Sequence, residues 1–263
     1  MSLSHASLHL PLLEAPQVRK IGTSDLQDAL AAGYRDFMAM PSHLAFVGLI
    51  YPVLGIFLAS VAFGYDLLPL LFPLISGFAL VGPLAGIGLY ELSRRRELGL
   101  NPTWQDAFAV LRSPGIGSIL GMGFVLVAIF LLWLVCANAI FSAILGPVDT
   151  SSYEQLLGTI LTTPRGWTLI LVGNAVGFLF AAFVLTISVI AFPLILDRHA
   201  SVGTAMTTST RAVQANPGTM ALWGLIVAAV LALGSIPLFV GLAIAIPILG
   251  HATWHLYRRV VES

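Results

Sequence analysis

Charge is what this sequence has least of. Only 9% of its 263 residues are Asp, Glu, Lys or Arg, 58% are hydrophobic, and the mean hydropathy is +0.95. A water-soluble chain carries about 25% charged residues, because something polar must coat its outside. This chain cannot coat itself, which excludes an ordinary soluble domain. The 12 basic residues cancel the 12 acidic ones, so no global field draws in nucleic acid, and DNA or RNA binding is excluded as a main role. Cysteine is almost missing too. Cys136, in the apolar run through Phe130, Leu134 and Val135, cannot build a disulfide framework or a multi-cysteine metal cage. Catalytic signatures are also lacking: there is no nucleophile elbow, zinc-protease helix motif or Walker motif. Gly115-Ile116-Gly117 and Gly121-Met122-Gly123 have neither the preceding strand nor the Gly-Lys-Ser/Thr of a phosphate loop. The protein is therefore not expected to be an enzyme.

What is present is long apolar sequence. A bilayer core about 30 Å thick takes about 20 helical residues to cross. From His43 to Tyr90 the only charge is Asp66, so this stretch is expected to turn back at Gly64-Tyr65-Asp66 and form spans over His43–Phe63 and Leu67–Tyr90. Further spans are expected from Ile116 to Leu145 and from Trp167 to Leu196. Met220 to Trp254 would reach about 52 Å as one helix. Two spans hinged at Gly234-Ser235-Ile236-Pro237 fit it better, giving six crossings. Arg19, Lys20, Arg35, Arg94, Arg95, Arg96, Arg112, Arg198, Arg211, Arg258 and Arg259 then share one side, with Arg165 alone opposite. Positive flanks stay cytoplasmic, so a multi-pass protein of the bacterial inner membrane with both termini inside is expected. Its first 42 residues lack an export pattern with a cleavage site.

A short amphipathic segment ending in proline precedes the first, third and fifth spans: Ser24–Met40, Thr103–Arg112 and Ser201–Asn216. In the first, Leu26, Leu30, Tyr34, Phe37 and Met38 share a face, and Ser24 with Gln27 forms a capping box. In the second Trp104, Phe108 and Leu111 recur at helical spacing; in the third Val202, Ala205, Met206 and Val213 are apolar. The first and third align without gaps, Leu26 with Val202 through Pro41 with Pro217. Pro83-Leu84-Ala85-Gly86 likewise aligns with Pro247-Ile248-Leu249-Gly250, and Pro193 begins a shorter equivalent. The expected fold is all-α: a polytopic membrane helical bundle of six transmembrane helices in three helix-hairpin modules, each preceded by a short amphipathic helix in the cytoplasmic interface. The modules fall at about 23–97, 98–200 and 201–263 within one transmembrane domain, after a disordered or extended cytoplasmic segment 1–22.

Several runs resemble a bacterial integral-membrane family whose name, DUF2189, records only a domain of unknown function. They are Ala32-Gly33-Tyr34-Arg35-Asp36, Gly88-Leu89-Tyr90-Glu91-Leu92-Ser93-Arg94-Arg95, Pro193-Leu194-Ile195-Leu196-Asp197-Arg198, Arg211 through Gly218, Trp223 and Gly250 through Arg258. The resemblance implies a multi-span inner-membrane protein and carries no mechanism.

His251 and His255 lie one helical turn apart, a spacing at which two imidazoles can bind one metal. By the module register Asp197 matches His251 and Glu91 matches His255, so a pseudo-threefold axis would gather His251, His255, Asp197 and Glu91 into a two-histidine, two-carboxylate site for a metal or haem, with His199 nearby. The competing reading places the histidines at the interface beside an aromatic belt of Trp254 and Tyr257. Arg35, Arg112, Arg211, Arg258 and Arg259 are expected to anchor at the phosphates. Asp25, Asp28, Asp36, Glu97 and Asp106 read as solvated, and Glu91 as the ion-pair partner of Arg94 and Arg95. The pairs Gly117 and Gly121, Gly173 and Gly177, and Gly82 and Gly86 read as helix-packing seams. Asn138 and Asn174 are expected to hydrogen-bond between helices. Tyr153–Leu161 is a weakly amphipathic outer segment.

No ionisable side chain lies at mid-membrane, which excludes the usual pump or ion-coupled carrier. Three functions remain: a non-catalytic scaffold or accessory subunit packed against other inner-membrane proteins, a respiratory or photosynthetic complex among them; a transporter or channel for a small apolar or amphipathic molecule, lipid included; and a metal- or haem-binding protein. No cofactor is assigned, and the lipid bilayer is the one definite partner.

Overall fold

The computed structural model describes residues 16–40, 55, 70–146, 153–236 and 241–262. These residues are helical apart from short connections and one antiparallel bridge, Val18 with Val261. In chain order they form α1 (Thr23–Ala39), α2 (Leu71–Phe78), a 3-10 turn (Ala79–Val81), α3 (Gly82–Ala85), α4 (Ile87–Glu97), a 3-10 helix (Trp104–Arg112), α5 (Ile116–Leu145), α6 (Tyr153–Thr162), α7 (Pro164–Ser188), α8 (Ala191–Arg198), α9 (Val202–Ala215), α10 (Pro217–Ser235) and α11 (Leu242–Val260).

Four stretches are long and apolar enough to cross a membrane: Phe72–Glu97, Ile116–Leu145, Pro164–Arg198 and Pro217–Ser235. The expected span His43–Phe63 and its turn lie outside the described residues. Helix α11 is not among the four, because its last turns carry His251, His255, Arg258 and Arg259. It begins beside the end of α10, where a Cβ on Gly241 would stand 2.8 Å from the Gly234 carbonyl oxygen. The break between α10 and α11 falls where Gly234 and Pro237 were expected to place it.

Prolines break two of the spans. Pro193 has no N–H and crowds the carbonyl four residues earlier, so the Pro164–Arg198 stretch divides into α7 and α8. Across that break the Ile190 N–H donates to Ser209 Oγ at 3.3 Å, and the same hydroxyl donates to the Thr186 carbonyl at 2.8 Å. A side chain from α9 thus stands in for the missing helical bond, as a helix broken in an apolar setting requires. The Phe72–Glu97 stretch breaks similarly around Gly82-Pro83.

Burial is concentrated at one end. Ile190, Ala191, Phe192, Leu194 and Ile195 of the α7–α8 region join Trp223, Trp254, Leu256 and Tyr257 in one cluster, each at 0 or 1% exposure. Further along the spans, packing within the chain thins out: α5 exposes Leu120, Phe124, Leu131 and Val135, and α7 exposes Leu171, Phe178, Leu179 and Phe183. Only 11% of the most apolar part of α10 is buried inside the protein. Side chains facing acyl chains gain nothing from leaving them, so exposure there costs nothing.

The amphipathic segments do not all behave as expected. Helix α1 packs Leu26, Ala29, Gly33 and Phe37 onto α11, leaving Tyr34 and Met38 exposed. Its start is capped by the Asp25 carboxylate, which accepts the Gly22 N–H at 2.9 Å, rather than by Ser24 with Gln27. Helix α9 buries Ala205, Thr208, Ser209 and Ala212 against α7 and α8. Residues Trp104–Arg112 form a 3-10 helix on α4, capped by Thr103 and Asp106, with Trp104, Phe108 and Leu111 exposed. Taken cyclically along the chain, each segment packs on the helix before it: α1 on α11, the 3-10 helix on α4, α9 on α7–α8.

The segment before α1 is extended and tied down over the described residues 16–22. The Arg19 N–H donates to the Val260 carbonyl at 2.8 Å, and the Glu262 N–H to Gln17 at 3.1 Å. Asn216 completes the strap, accepting the Ile21 N–H at 2.7 Å and donating to the Arg19 carbonyl at 3.0 Å.

Candidate functional site

The polar residues singled out by sequence collect where α4, α8 and α11 end, and two hydrogen-bonded clusters form there. The first is centred on Asp36, 6% exposed despite its place on the polar side of α1. Its Oδ2 accepts from Ser93 Oγ at 2.6 Å and from His255 Nε2 at 2.8 Å, and its Oδ1 from Arg96 at 2.7 Å. Ser93 spends its only proton on that carboxylate, so His251 Nδ1, 2.7 Å away, donates to the serine oxygen. Burial pushes the Asp36 carboxyl up, but the hydrogen bonds from His255 and Ser93 outweigh it and hold the group below its usual range. The trio of His251, Ser93 and Asp36 invites comparison with a hydrolase triad. The proton runs the wrong way, because Ser93 accepts from the histidine, and its 1% exposure admits no substrate.

The second cluster bolts the end of α11 to the ends of two spans. Glu97 accepts from Trp254 Nε1 and from Arg258 Nε, both at 2.9 Å. Asp197 accepts from the Tyr257 hydroxyl at 2.6 Å and lies 3.6 Å from Arg258. Beside them Glu91, 3% exposed, receives Arg94 and Arg95 at 2.7 Å each, and Arg95 continues to Asp106 at 2.6 Å. Arg94, Glu97, Leu98, Asp197, Trp254 and Arg258 line a half-open cleft of about 200 Å³.

Of the four candidate metal ligands, each thus holds its own partner: His251 with Ser93, His255 with Asp36, Asp197 with Tyr257, Glu91 with two arginines. No group of three or more His, Cys, Asp or Glu side chains suited to a metal occurs among the described residues. His199 closes α8 in a left-handed conformation at φ 53° and is exposed.

Several expectations need correction. Trp254 and Tyr257 are buried at 1% and 0% and pack ring to ring at 5.4 Å, so they form no lipid-facing belt. Arg258 and Arg259 are spent on acids, Arg259 on Asp25 at 2.8 Å and Asp28 at 3.1 Å, rather than held free for phosphates. Arg211 reaches the Pro16 carbonyl at 3.2 Å. Arg35 and Arg112 are exposed with no ion-pair partner among the described residues. Asp25, Asp36, Glu97 and Asp106 are structural pair members instead of solvated charges. Of the glycine seams, Gly117, Gly173 and Gly82 have open space where a Cβ would stand, while Gly121 faces Val202, Gly177 faces Trp133 and Gly86 faces Tyr90. A close backbone approach between helices that the glycine pattern did not mark is Gly33 on Ala252. Asn174 donates to its own helix, at the Ile170 carbonyl, and Asn138 is exposed.

A family model described as a predicted integral membrane protein, DUF2189, matches residues 71–197, just under half of the chain. The match takes in Gly88–Arg95 and Pro193–Asp197 and stops short of the C-terminal run Gly250–Arg258. No curated protein and no solved structure gives a significant match. Phe72–Glu97, Ile116–Leu145 and nearly all of Pro164–Arg198 lie inside the matched segment, so these multi-pass helices of an integral membrane protein fall where the chain is similar to the family that the motifs resemble.

Proposed function

We propose that this protein is a non-catalytic scaffold or accessory subunit of the bacterial inner membrane, packing through its span surfaces against a larger assembly such as a respiratory or photosynthetic complex. The contrast between its two parts carries the reading. The end built from α1, α4, α8, α9 and α11 has a closely packed apolar interior, and its buried polar groups are held in internal pairs. The spans beyond it offer long apolar faces on α5, α7 and α10. Asn138, exposed on α5, presents an amide with no hydrogen-bond partner among the described residues, a group that a neighbouring helix would satisfy in lipid.

Six crossings with both termini inside fit the same picture. α11 starts beside the end of α10 and finishes against Glu97 and Asp197, at the ends of two spans. At about 28 Å it is long enough to carry the chain back. The cyclic packing of α1, the 3-10 helix and α9 supports three modules. The transporter reading calls for space along the axis, and at this end Phe192, Leu194, Trp223, Trp254 and Tyr257 fill the interior.

The test is extraction of the tagged full chain from native membranes in a mild detergent. A stable companion protein, recovered less well with Asn138→Leu, is expected. A monodisperse monomer with no companion overturns the proposal.

A further inference from the structure

The connection from Glu97 to Ile116 joins two stretches that each suit a membrane crossing. Consecutive crossings run in opposite directions, so both ends of this connection lie at one face of the bilayer, and its 3-10 helix must run along that face. A 3-10 helix repeats every three residues, which places Ala107 and Val110 in one row and Phe108 and Leu111 in another. The first row turns inward: Val110 is buried, and a Cβ on Gly88 of α4 would stand 3.1 Å from the Ala107 Cβ. The second row turns outward with Phe108 at 43% and Leu111 at 67% exposure; Trp104 is stacked edge-on against Phe108 at 6.2 Å, and Leu98 and Leu100 are exposed just before it.

The charges around this patch are sorted. Asp106 is consumed by the Thr103 cap and by Arg95, so the one acid of the helix is neutralised. Arg112, next to Leu111, is exposed and has no acid partner among the described residues. An apolar row bordered by an unspent guanidinium, held at the membrane face by the spans on either side, complements acyl chains beneath a phosphate.

We infer that Leu98–Arg112 is a lipid-surface anchor, with Phe108 and Leu111 inserted at the headgroup–acyl boundary of an anionic leaflet and Arg112 at its phosphates. Of the three amphipathic segments it is the one whose spaced apolar residues, Trp104, Phe108 and Leu111, are all exposed, whereas α1 and α9 turn most of theirs onto neighbouring helices. The inference concerns a different surface from the span faces proposed above to hold a partner.

The test uses the full chain with Cys136→Ala, an environment-sensitive fluorophore on Phe108→Cys, and vesicles of phosphatidylethanolamine and phosphatidylglycerol. The same label on Leu111→Cys guards against a local disturbance at 108, and one on the exposed Lys20→Cys serves as the aqueous reference. Labels at 108 and 111 are expected to emit to the blue of the reference and to be quenched by nitroxide on the upper acyl chain but not by iodide. Quenching by iodide with none from the nitroxide lipid overturns the inference. Protection from both quenchers overturns it as well, since protein would then cover the row.

Discussion

Gly33 of α1 sits on the backbone of α11 at Ala252, so close that a Cβ added to Gly33 would stand 2.5 Å from the Ala252 nitrogen and 2.7 Å from its Cβ. Neither backbone can yield without shifting a helix. Gly33→Ala is expected to cost about 1–3 kcal/mol, the range for overpacking a tight site. It should lower the thermal midpoint in detergent and expose α1 to protease. Gly117→Ala and Gly173→Ala, which meet open space, should leave both readouts at wild type. Equal behaviour of all three variants would refute the close crossing.

The Asp36 cluster gives the same docking a pH dependence. A carboxyl held below its usual range stabilises the folded state wherever it is ionised, and that contribution fades as pH falls through the folded-state value. Asp25 and Asp106 add contributions of the same sign: the Gly22 N–H and then Arg259 lower the first, and the Thr103 N–H and hydroxyl the second. The melting temperature should therefore hold near neutrality and drop on the acid side. Asp36→Asn should cost about 1.5–3 kcal/mol at neutral pH, as loss of hydrogen bonds to a charged group does. It should also flatten the acid limb, measured as melting temperature against pH down to about pH 3. A variant with an undiminished acid limb would show that other carboxylates carry it.

What could be read in the sequence followed from local chemistry. Thirty mostly apolar residues without a charge, framed by Pro114-Gly115 and Gly146-Pro147, read as a crossing helix, and α5 covers Ile116–Leu145 as expected. The break after Ser235 was legible for the same reason, glycine and proline together. Asp36 was not. It stands on the polar side of an amphipathic helix, and only the arrival of α11 with His251 and His255 makes that side an interior. Trp254 and Tyr257 were misplaced for a related reason: interfacial aromatics and buried ones look alike until the acids that receive them, Glu97 and Asp197, are brought near by the fold. The register set Glu91, Asp197, His251 and His255 together as one site. Their separate partners were not legible, because Ser93 and the arginines carry no such periodic mark.

The position of α11 yields a topological prediction. Since it returns from the end of α10 to the ends of α4 and α8, a reporter fused after Ser235 and one fused after Ser263 should report opposite sides of the membrane. Alkaline phosphatase activity is expected at the first site and cytoplasmic fluorescence at the second. Matching signals from the two fusions would mean that α11 does not cross, and the six-span reading would fail with it.

Ser209 offers the sharpest test of how a broken span is repaired. Its hydroxyl accepts the Ile190 N–H and donates to the Thr186 carbonyl, two groups that an unbroken helix would have paired with each other. Ile190 is fully buried, so no water can replace the hydroxyl. Ser209→Ala removes one oxygen and strands both backbone groups, at about 1–3 kcal/mol for a buried polar group left unpaired. Thr208, equally buried one residue earlier, has no part in that bridge, so Thr208→Ser isolates the effect of position. Pro193→Ala restores an N–H to the break and lets the helix close toward regular bonding, so in that background Ser209→Ala should cost less. In the double-mutant cycle measured by thermal unfolding the double variant should lose less than the sum of the two singles, and strictly additive effects would show that the serine and the proline break are unrelated.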